Sequence, residues 1–199
     1  PVRFRNLWIM LSHLHGSEIN FSKLAGNFDV DAKTIRRYVD ILEGLLMVRR
    51  LNPYYINIKK RLIKSPRFYI RDSGILHRLL SIPNYDSLLS NPIIGKSFEG
   101  FVIENILSIL PSKVEKYFYK MLVGAELDLV LKFSDKDIWA IEIKKSLVPK
   151  VSRGFYNACE DIGATKRFVI YSGDDEFPIN NNINVISLQR FMERIMNYK

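Results

Sequence analysis

The chain has 199 residues, a formal net charge of +9 and 47% apolar residues, which is an ordinary composition for a soluble protein that can bury a core. Its one cysteine excludes an internal disulfide framework, and its three scattered histidines lack metal-ligand spacing, so no zinc site is expected. Neither a membrane-spanning run nor a signal peptide is evident, which predicts a cytoplasmic protein without a membrane partner. Because the chain begins with Pro1, we expect it to be part of a longer protein.

The positive charge is confined to the N-terminal half. Residues 1–96 contain 16 Lys and Arg against 7 Asp and Glu, whereas residues 97–199 contain 14 of each kind. A basic module beside a neutral one favours contact with a polyanion, and nucleic acid is the commonest polyanion that proteins meet. The alternative is a basic surface without such a partner.

The first half is patterned as three short helices followed by a strand. A first helix ends at Gly16, a second covers residues 21–28, and Asp31 is placed to cap a third. Apolar residues of the third helix keep to one face, namely Ile35, Val39 and Leu42. The strand-like stretch LLMVRRL comes next. This order predicts a winged helix-turn-helix over residues 1–72.

Two groups of basic residues are candidates for nucleic-acid binding. The third helix would be the recognition helix, and it carries Lys33, Arg36 and Arg37 away from its apolar face. The predicted wing and its return strand carry Lys59, Lys60, Arg61, Lys64, Arg67 and Arg71. Such a cluster can bind phosphates without reading sequence. Because Asp40 and Glu43 dilute the third helix, a protein-docking module remains the alternative.

Turn-forming residues separate this module from the second half of the chain. A helical connector is predicted over residues 73–95, with Asp72 or Ser73 as a helix cap. The stretch SFEGFVIENILSIL then predicts a helix whose apolar face includes Glu99. A carboxylate directed at a core needs a partner, since an unpaired buried charge is costly.

The rest of the chain is patterned as a mixed α/β domain, predicted over residues 96–199. Three strand-like runs, VEKYFYKML, AELDLVLKF and DIWAIEIKKS, suit an antiparallel meander. A helix, two strands and a terminal helix come after them. We therefore expect a mixed sheet flanked by helices.

Two neighbouring strands of this meander carry Asp128, Glu142 and Lys144. Residues two apart in a strand face the same side, so Glu142 and Lys144 project together and Asp128 can come alongside. Carboxylates without imidazole suit Mg²⁺ or Mn²⁺, and such an ion can activate water for attack on a phosphodiester. The alternative is a solvated strand face, on which Glu126 would accompany Asp128.

These residues resemble the PD-(D/E)xK nuclease superfamily. More closely, GKSFEGFVIENIL, GAELDLVL and AIEIKKS, preceded by KSPRFYIRDSGIL and a winged helix, resemble the C-terminal part of archaeal and bacterial AAA-family ATPases. The resemblance implies a restriction-endonuclease-like fold and an N-terminal ATPase module as a partner outside this chain. It also implies that Asp128 and Glu142 are metal ligands, that Glu99 is an accessory ligand or holds a water, and that Lys144 is the catalytic cation.

Two departures from the resembled pattern are visible. Leu127 occupies the place of the signature proline, and the ATPase module is absent from this chain. The Gly95–Ser97 stretch GKS is not a phosphate loop, because that motif requires glycine where the chain has Ser90, so no ATP site is expected.

The sequence thus predicts DNA binding with Mg²⁺- or Mn²⁺-dependent phosphodiester cleavage. Two alternatives remain open, because a fold does not guarantee its chemistry. One is a non-catalytic module that regulates or docks the ATPase, with the carboxylates in structural ion pairs. The other is a DNA-binding regulator without nuclease activity.

Overall fold

The computed structural model describes residues 2–56 and 62–198, and the chain divides into two compact units. The first unit comprises residues 1–51 and 65–101, and the second comprises residues 52–64 and 102–199. This division differs from the predicted ranges 1–72, 73–95 and 96–199, since the connector lies wholly in the first unit. No helix in the described parts is long and apolar enough to cross a membrane.

The first three helices of the first unit agree with the sequence pattern. They are α1 (Val2–His13), α2 (Phe21–Gly26) and α3 (Ala32–Gly44). Asp31 caps α3 by accepting a 2.6 Å hydrogen bond from the backbone N–H of Thr34. The apolar face predicted for α3 is buried at Ile35, Val39 and Leu42. Local capping and periodicity therefore account for this helix.

A small antiparallel sheet and further helices complete the first unit. The sheet contains β1 (Ser17–Glu18), β2 (Val48–Leu51) and β3 (Arg67–Ile70) in the order β1-β3-β2. After it come α4 (Ser73–Leu79), which Asp72 caps, and α5 (Tyr85–Leu89). Helix α6 (Ile94–Ile109) begins in this unit, and Gly95–Ser97 lie within its first turn. The elements of the predicted winged helix are present, and its identity as a winged helix stays a prediction.

The second unit contains one six-stranded mixed sheet. Its strands are β4 (Glu115–Lys120), β5 (Glu126–Ser134), β6 (Asp137–Lys144), β7 (Lys166–Tyr171), β8 (Glu176–Ile179) and β9 (Ile183–Ser187). Their spatial order is β4-β5-β6-β7-β9-β8. The first three pair antiparallel, as the sequence predicted, and β6, β7 and β9 are parallel. The mixed α/β class is therefore confirmed.

Helices α7 (Arg153–Asp161) and α8 (Leu188–Met196) supply apolar residues to the core around this sheet. Phe155 of α7 packs into a buried cluster with strand residues such as Leu127 and Val169. Phe191 of α8 contacts Phe168 and Trp139, whose ring centroids lie 5.0 and 6.0 Å away. Strands β5 and β6 are thus fixed by a well-packed core.

One strand of this sheet was not predicted. Strand β8 contains Pro178, which cannot donate a ladder hydrogen bond, and acidic residues precede it. The strand lies at the sheet edge and pairs only with β9 among the described strands. An edge position tolerates proline, so position in the sheet outweighed local sequence here.

The described ends of the predicted wing attach to β4 of the second unit. Pro53 bridges Phe118, and Leu62 bridges Met121. The backbone N–H groups of Tyr54 and Ile63 donate to the carbonyls of Phe118 and Lys120 over 2.6 and 3.0 Å. This segment therefore belongs to the second unit, although the sequence pattern placed it with the first.

Candidate functional site

Asp128 and Glu142 lie side by side on neighbouring strands of the second unit. The register of β5 and β6 pairs Leu129 with Ile141, and Asp128 and Glu142 are the next residues along each strand. One carboxylate oxygen of Asp128 accepts a 2.9 Å hydrogen bond from the backbone N–H of Ile143. The two acidic residues are only 8% and 7% exposed. The structure thus holds two neighbouring carboxylates that are both almost fully buried.

This arrangement disfavours a negative charge on Glu142. Burial raises the pKa of Glu142 to about 7, and the neighbouring charge of Asp128 acts in the same direction. Lys144 opposes both effects, because its Nζ lies 2.5 Å from the Oε1 atom of Glu142. The single ammonium does not offset burial beside a second acid. An additional positive charge would therefore stabilise the ionised form of Glu142.

Lys144 and Glu126 are each two residues away from one of these buried carboxylates. The Lys144 side chain is 38% exposed, so its ammonium can reach both Glu142 and solvent. The Nζ atom of Lys120 lies 3.6 Å from the carboxylate of Glu126, and the charge of Glu126 also raises the pKa of Glu142. Glu126 is therefore close enough to contribute to the field of the site. Asp128 is more deeply buried than Glu126, so we take Asp128 as the direct neighbour of Glu142.

Glu99 lies in the first unit and has its own partners there. Its carboxylate accepts a 2.7 Å hydrogen bond from the Tyr69 hydroxyl and forms a 2.6 Å ion pair with Lys96. The guanidinium of Arg67 lies 3.8 Å from the same carboxylate and also binds Glu18. The expected partner of this buried acid thus exists, whereas the accessory metal role of Glu99 stays a prediction.

The partners of Glu99 were not identified from the sequence. Lys96 precedes Glu99 by three residues in α6, and this spacing was an available signal for a helical ion pair. Tyr69 and Arg67 lie about 30 residues earlier and reach it only through tertiary folding. Arg67 was expected in the phosphate-binding cluster, but it is 1% exposed and paired with acids. The prediction that Arg67 contacts phosphate is therefore wrong.

The predicted recognition helix does present basic side chains to solvent. Lys33, Arg36 and Arg37 of α3 are exposed. The guanidinium of Arg36 lies 4.6 Å from the ring centroid of Phe21, which orders this side chain. The acids Asp40 and Glu43 both pair with Arg50, at distances of 2.5 and 3.2 Å. Arg50 thus pairs with both acids of this helix, and the basic side chains of the helix stay exposed.

The predicted wing is only partly described. Lys59, Lys60 and Arg61 lie outside the described residues. Lys64 is exposed, and its backbone carbonyl accepts a 3.2 Å hydrogen bond from the Tyr55 hydroxyl. The exposed side chain of Lys64 is consistent with a phosphate contact, which stays a prediction.

The donor set at Asp128 and Glu142 suits a hard divalent cation only in part. Within residues 2–56 and 62–198, no three acidic, histidine or cysteine side chains gather closely enough to form a metal-binding group. Mg²⁺ is nevertheless commonly held by one or two carboxylates with water as its other ligands. Two buried carboxylates that repel each other fit this mode of binding. Asp128 and Glu142 are thus the residues that would hold the ion.

Comparisons with known proteins agree with a chain of two parts. Residues 1–86 match the model described as "Domain of unknown function (DUF8612)", and residues 94–191 match "Domain of unknown function (DUF4143)". Uncharacterized proteins Rv2008c of Mycobacterium tuberculosis and Mb2031c of Mycobacterium bovis are each 37% identical over 189 residues. The match covers 94% of this chain and 42% of each relative, so the chain spans less than half their length.

One solved assembly also shows similarity. It is the refined half-complex from a tetradecameric assembly of Thermococcus gammatolerans McrB AAA+ hexamers with bound McrC. The similarity has a TM-score of 0.38 and 10% sequence identity, and it covers 81% of this chain and 64% of that chain.

Proposed function

We propose that the second unit is a Mg²⁺- or Mn²⁺-dependent nuclease site that cleaves phosphodiester bonds in DNA. Asp128 and Glu142 hold the cation, and Lys144 faces the scissile phosphate. The observation that carries this proposal is the buried pair of like-charged carboxylates with an adjacent lysine. Because burial and the neighbouring Asp128 disfavour the negative charge of Glu142, a bound cation would stabilise that charge.

The chemistry depends on what each side chain can do. A bound divalent cation supplies an activated water and neutralises charge on the phosphate. Asp128 is oriented by the Ile143 N–H, which fixes its carboxylate beside Glu142. Glu142 binds in its deprotonated form. When Glu142 holds the cation, Lys144 can donate to a phosphate oxygen and stabilise the charge that develops there.

In this proposal, substrate binding is a task of the basic residues. Lys33, Arg36 and Arg37 of α3 would contact the DNA backbone, with Lys64 and the neighbouring Lys59, Lys60 and Arg61 as further phosphate contacts. The solvent exposure of Lys33, Arg36, Arg37 and Lys64 supports this. The resemblance to AAA-family ATPases supports an ATPase module as a partner, and the relatives, of which the match covers 42%, are long enough to contain one.

A second candidate is a non-catalytic module that docks or regulates such an ATPase. It is favoured by the ion pairs already formed, Lys144 with Glu142 and Lys96 with Glu99. In this alternative, the lysine at the site neutralises a carboxylate and has no substrate. Both candidates predict folding around the same residues, so metal binding separates them.

Calorimetric titration with Mn²⁺ tests the proposed site. The wild type should bind the ion, and Asp128→Asn and Glu142→Gln should each bind at least about tenfold more weakly, because each loses one anionic ligand. Asn retains an acceptor for the Ile143 N–H, so folding is preserved. Glu160→Gln is the matched control, since Glu160 is exposed on α7. Equal binding heats from all four proteins would favour the second candidate.

A further inference from the structure

Two loops at one end of the second sheet expose large aliphatic side chains. Leu122 and Val123 are 57% and 82% exposed, and Leu147 and Val148 are 68% and 76% exposed. The first pair precedes β5 and the second pair comes after β6. Because β5 and β6 are antiparallel, both loops emerge at the same end of the sheet. This is the end at which Asp128, Glu142 and Lys144 lie.

Both loops hold defined conformations. In the first, the Met121 N–H donates to the Ala125 carbonyl over 2.9 Å, and Gly124 adopts a positive φ of 87° that favours glycine. In the second, the Ser146 hydroxyl bonds both the N–H and the carbonyl of Val148 over 3.2 Å. The aliphatic side chains are therefore presented by ordered turns.

The two loops also adjoin each other. A Cβ atom placed on Gly154, in the first turn of α7, would lie 2.0 Å from the carbonyl oxygen of Gly124. Only glycine permits this approach, which brings the segment after the second loop against the tip of the first. The four aliphatic side chains thus belong to one region, defined here as the apolar rim and made of Leu122, Val123, Leu147 and Val148.

The segment after β6 is basic, which favours a polyanionic ligand. Between Glu142 and Glu160 the chain contains Lys144, Lys145, Lys150 and Arg153 and no acid. Exposed aliphatic residues interleaved with cations can bind nucleic acid through two kinds of contact. The cations neutralise phosphates, and the apolar side chains insert against unstacked bases. A wholly paired duplex hides its base faces, whereas an unpaired segment exposes them.

We infer that the apolar rim contacts the bases of unpaired DNA next to the cleavage site, so that the substrate class is DNA with a single-stranded or distorted segment. This inference rests on the proposed function of the second unit. Energetically, burial of aliphatic side chains against bases would favour unpaired over paired DNA. The cations after β6 contact phosphates, which both forms carry, so they do not account for a preference for unpaired DNA.

The test compares two fluorescent probes, a short duplex and the same duplex with a central unpaired loop, by anisotropy in EDTA. The full chain should bind the looped probe more tightly, and a Leu147→Ser/Val148→Ser variant should lose about tenfold in that affinity with duplex binding unchanged. Met196→Ser is the control, because Met196 is 62% exposed on α8. A second variant, Leu122→Ser/Val123→Ser, should behave like the first.

The other possible results separate failure of this inference from failure of the proposed nuclease function. Equal wild-type affinity for the two probes, or a variant that keeps its preference for the looped probe, overturns the inference and leaves the proposed nuclease function standing. Absence of binding to either probe overturns both. If wild-type protein self-associates in sedimentation and the serine variants do not, while their DNA affinities equal those of the wild type, the apolar rim is a protein interface and the inference is wrong.

Discussion

Replacement of Glu142 by glutamine should stabilise the second unit at neutral and alkaline pH when no divalent cation is bound. The folded protein raises the pKa of Glu142 from its ordinary value of 4.5 to about 7. Each pKa unit corresponds to about 1.4 kcal/mol, so ionisation of Glu142 costs roughly 3 kcal/mol of folding free energy. Glutamine keeps the shape of the side chain and removes this cost.

The sign of the pH dependence is set by proton binding. Between pH 4.5 and about 7 the folded state retains a proton on Glu142 that the unfolded state has released. The free energy of unfolding therefore falls as pH rises through this window and stays low above it. The Glu142→Gln variant should lack this part of the slope, and its advantage over wild type should be largest above the window.

Urea unfolding in EDTA across this pH window measures the effect. Trp139 is fully buried on β6 and reports the second unit, and a Trp8→Phe background removes the other tryptophan. Glu160→Gln serves as the control, because it removes one exposed carboxylate from the same unit. Parallel pH profiles for Glu142→Gln and wild type would show that the site does not disfavour the Glu142 charge.

Three further outcomes are expected. Lys144→Ala should abolish Mn²⁺-dependent nicking of supercoiled plasmid while Lys136→Ala, which makes the same charge change in the exposed turn between β5 and β6, retains it; equal loss in both would indicate general electrostatics. Arg37→Ala should weaken duplex binding and flatten its salt dependence, whereas Lys116→Ala, with the same charge change on β4, should not; equal effects would contradict a role for α3. Burial lowers the pKa of His15 to about 4, so the first unit, monitored by Trp8 fluorescence, should lose stability as pH falls from 6.5 towards 4. His15→Gln should flatten that profile, and an unchanged profile would exclude His15 as its cause.

The parts of the fold that sequence could predict are those set by local chemistry. Asp31 caps α3 through a contact three residues away, and period-two alternation placed Glu142 and Lys144 on one side of β6. The antiparallel order of β4, β5 and β6 results from short turns between apolar runs. In each case the deciding interactions are near in sequence.

The parts that could not be predicted depend on distant contacts. Arg67 reads as a surface cation, yet Glu18 and Glu99 enclose it, because β3 lies between β1 and β2 in the first sheet. Residues 52–64 read as part of the first module, but their ends bond to β4 of the second unit. Periodicity cannot show which edge a segment will join, since that choice depends on the whole sheet.

The position of Lys144 defines what separates the two candidate functions. Its ammonium partly neutralises Glu142, while burial and Asp128 still keep the pKa of Glu142 high. A divalent cation held by Asp128 and Glu142 would carry twice the charge of lysine, and it would offset the cost of burial and repulsion that lysine leaves in place. The Lys144 side chain, which is 38% exposed, would then be able to donate to a phosphate oxygen. If lysine is the only cation that binds Glu142, burial of this carboxylate beside Asp128 destabilises the fold and serves no function, which is why we favour the metal site.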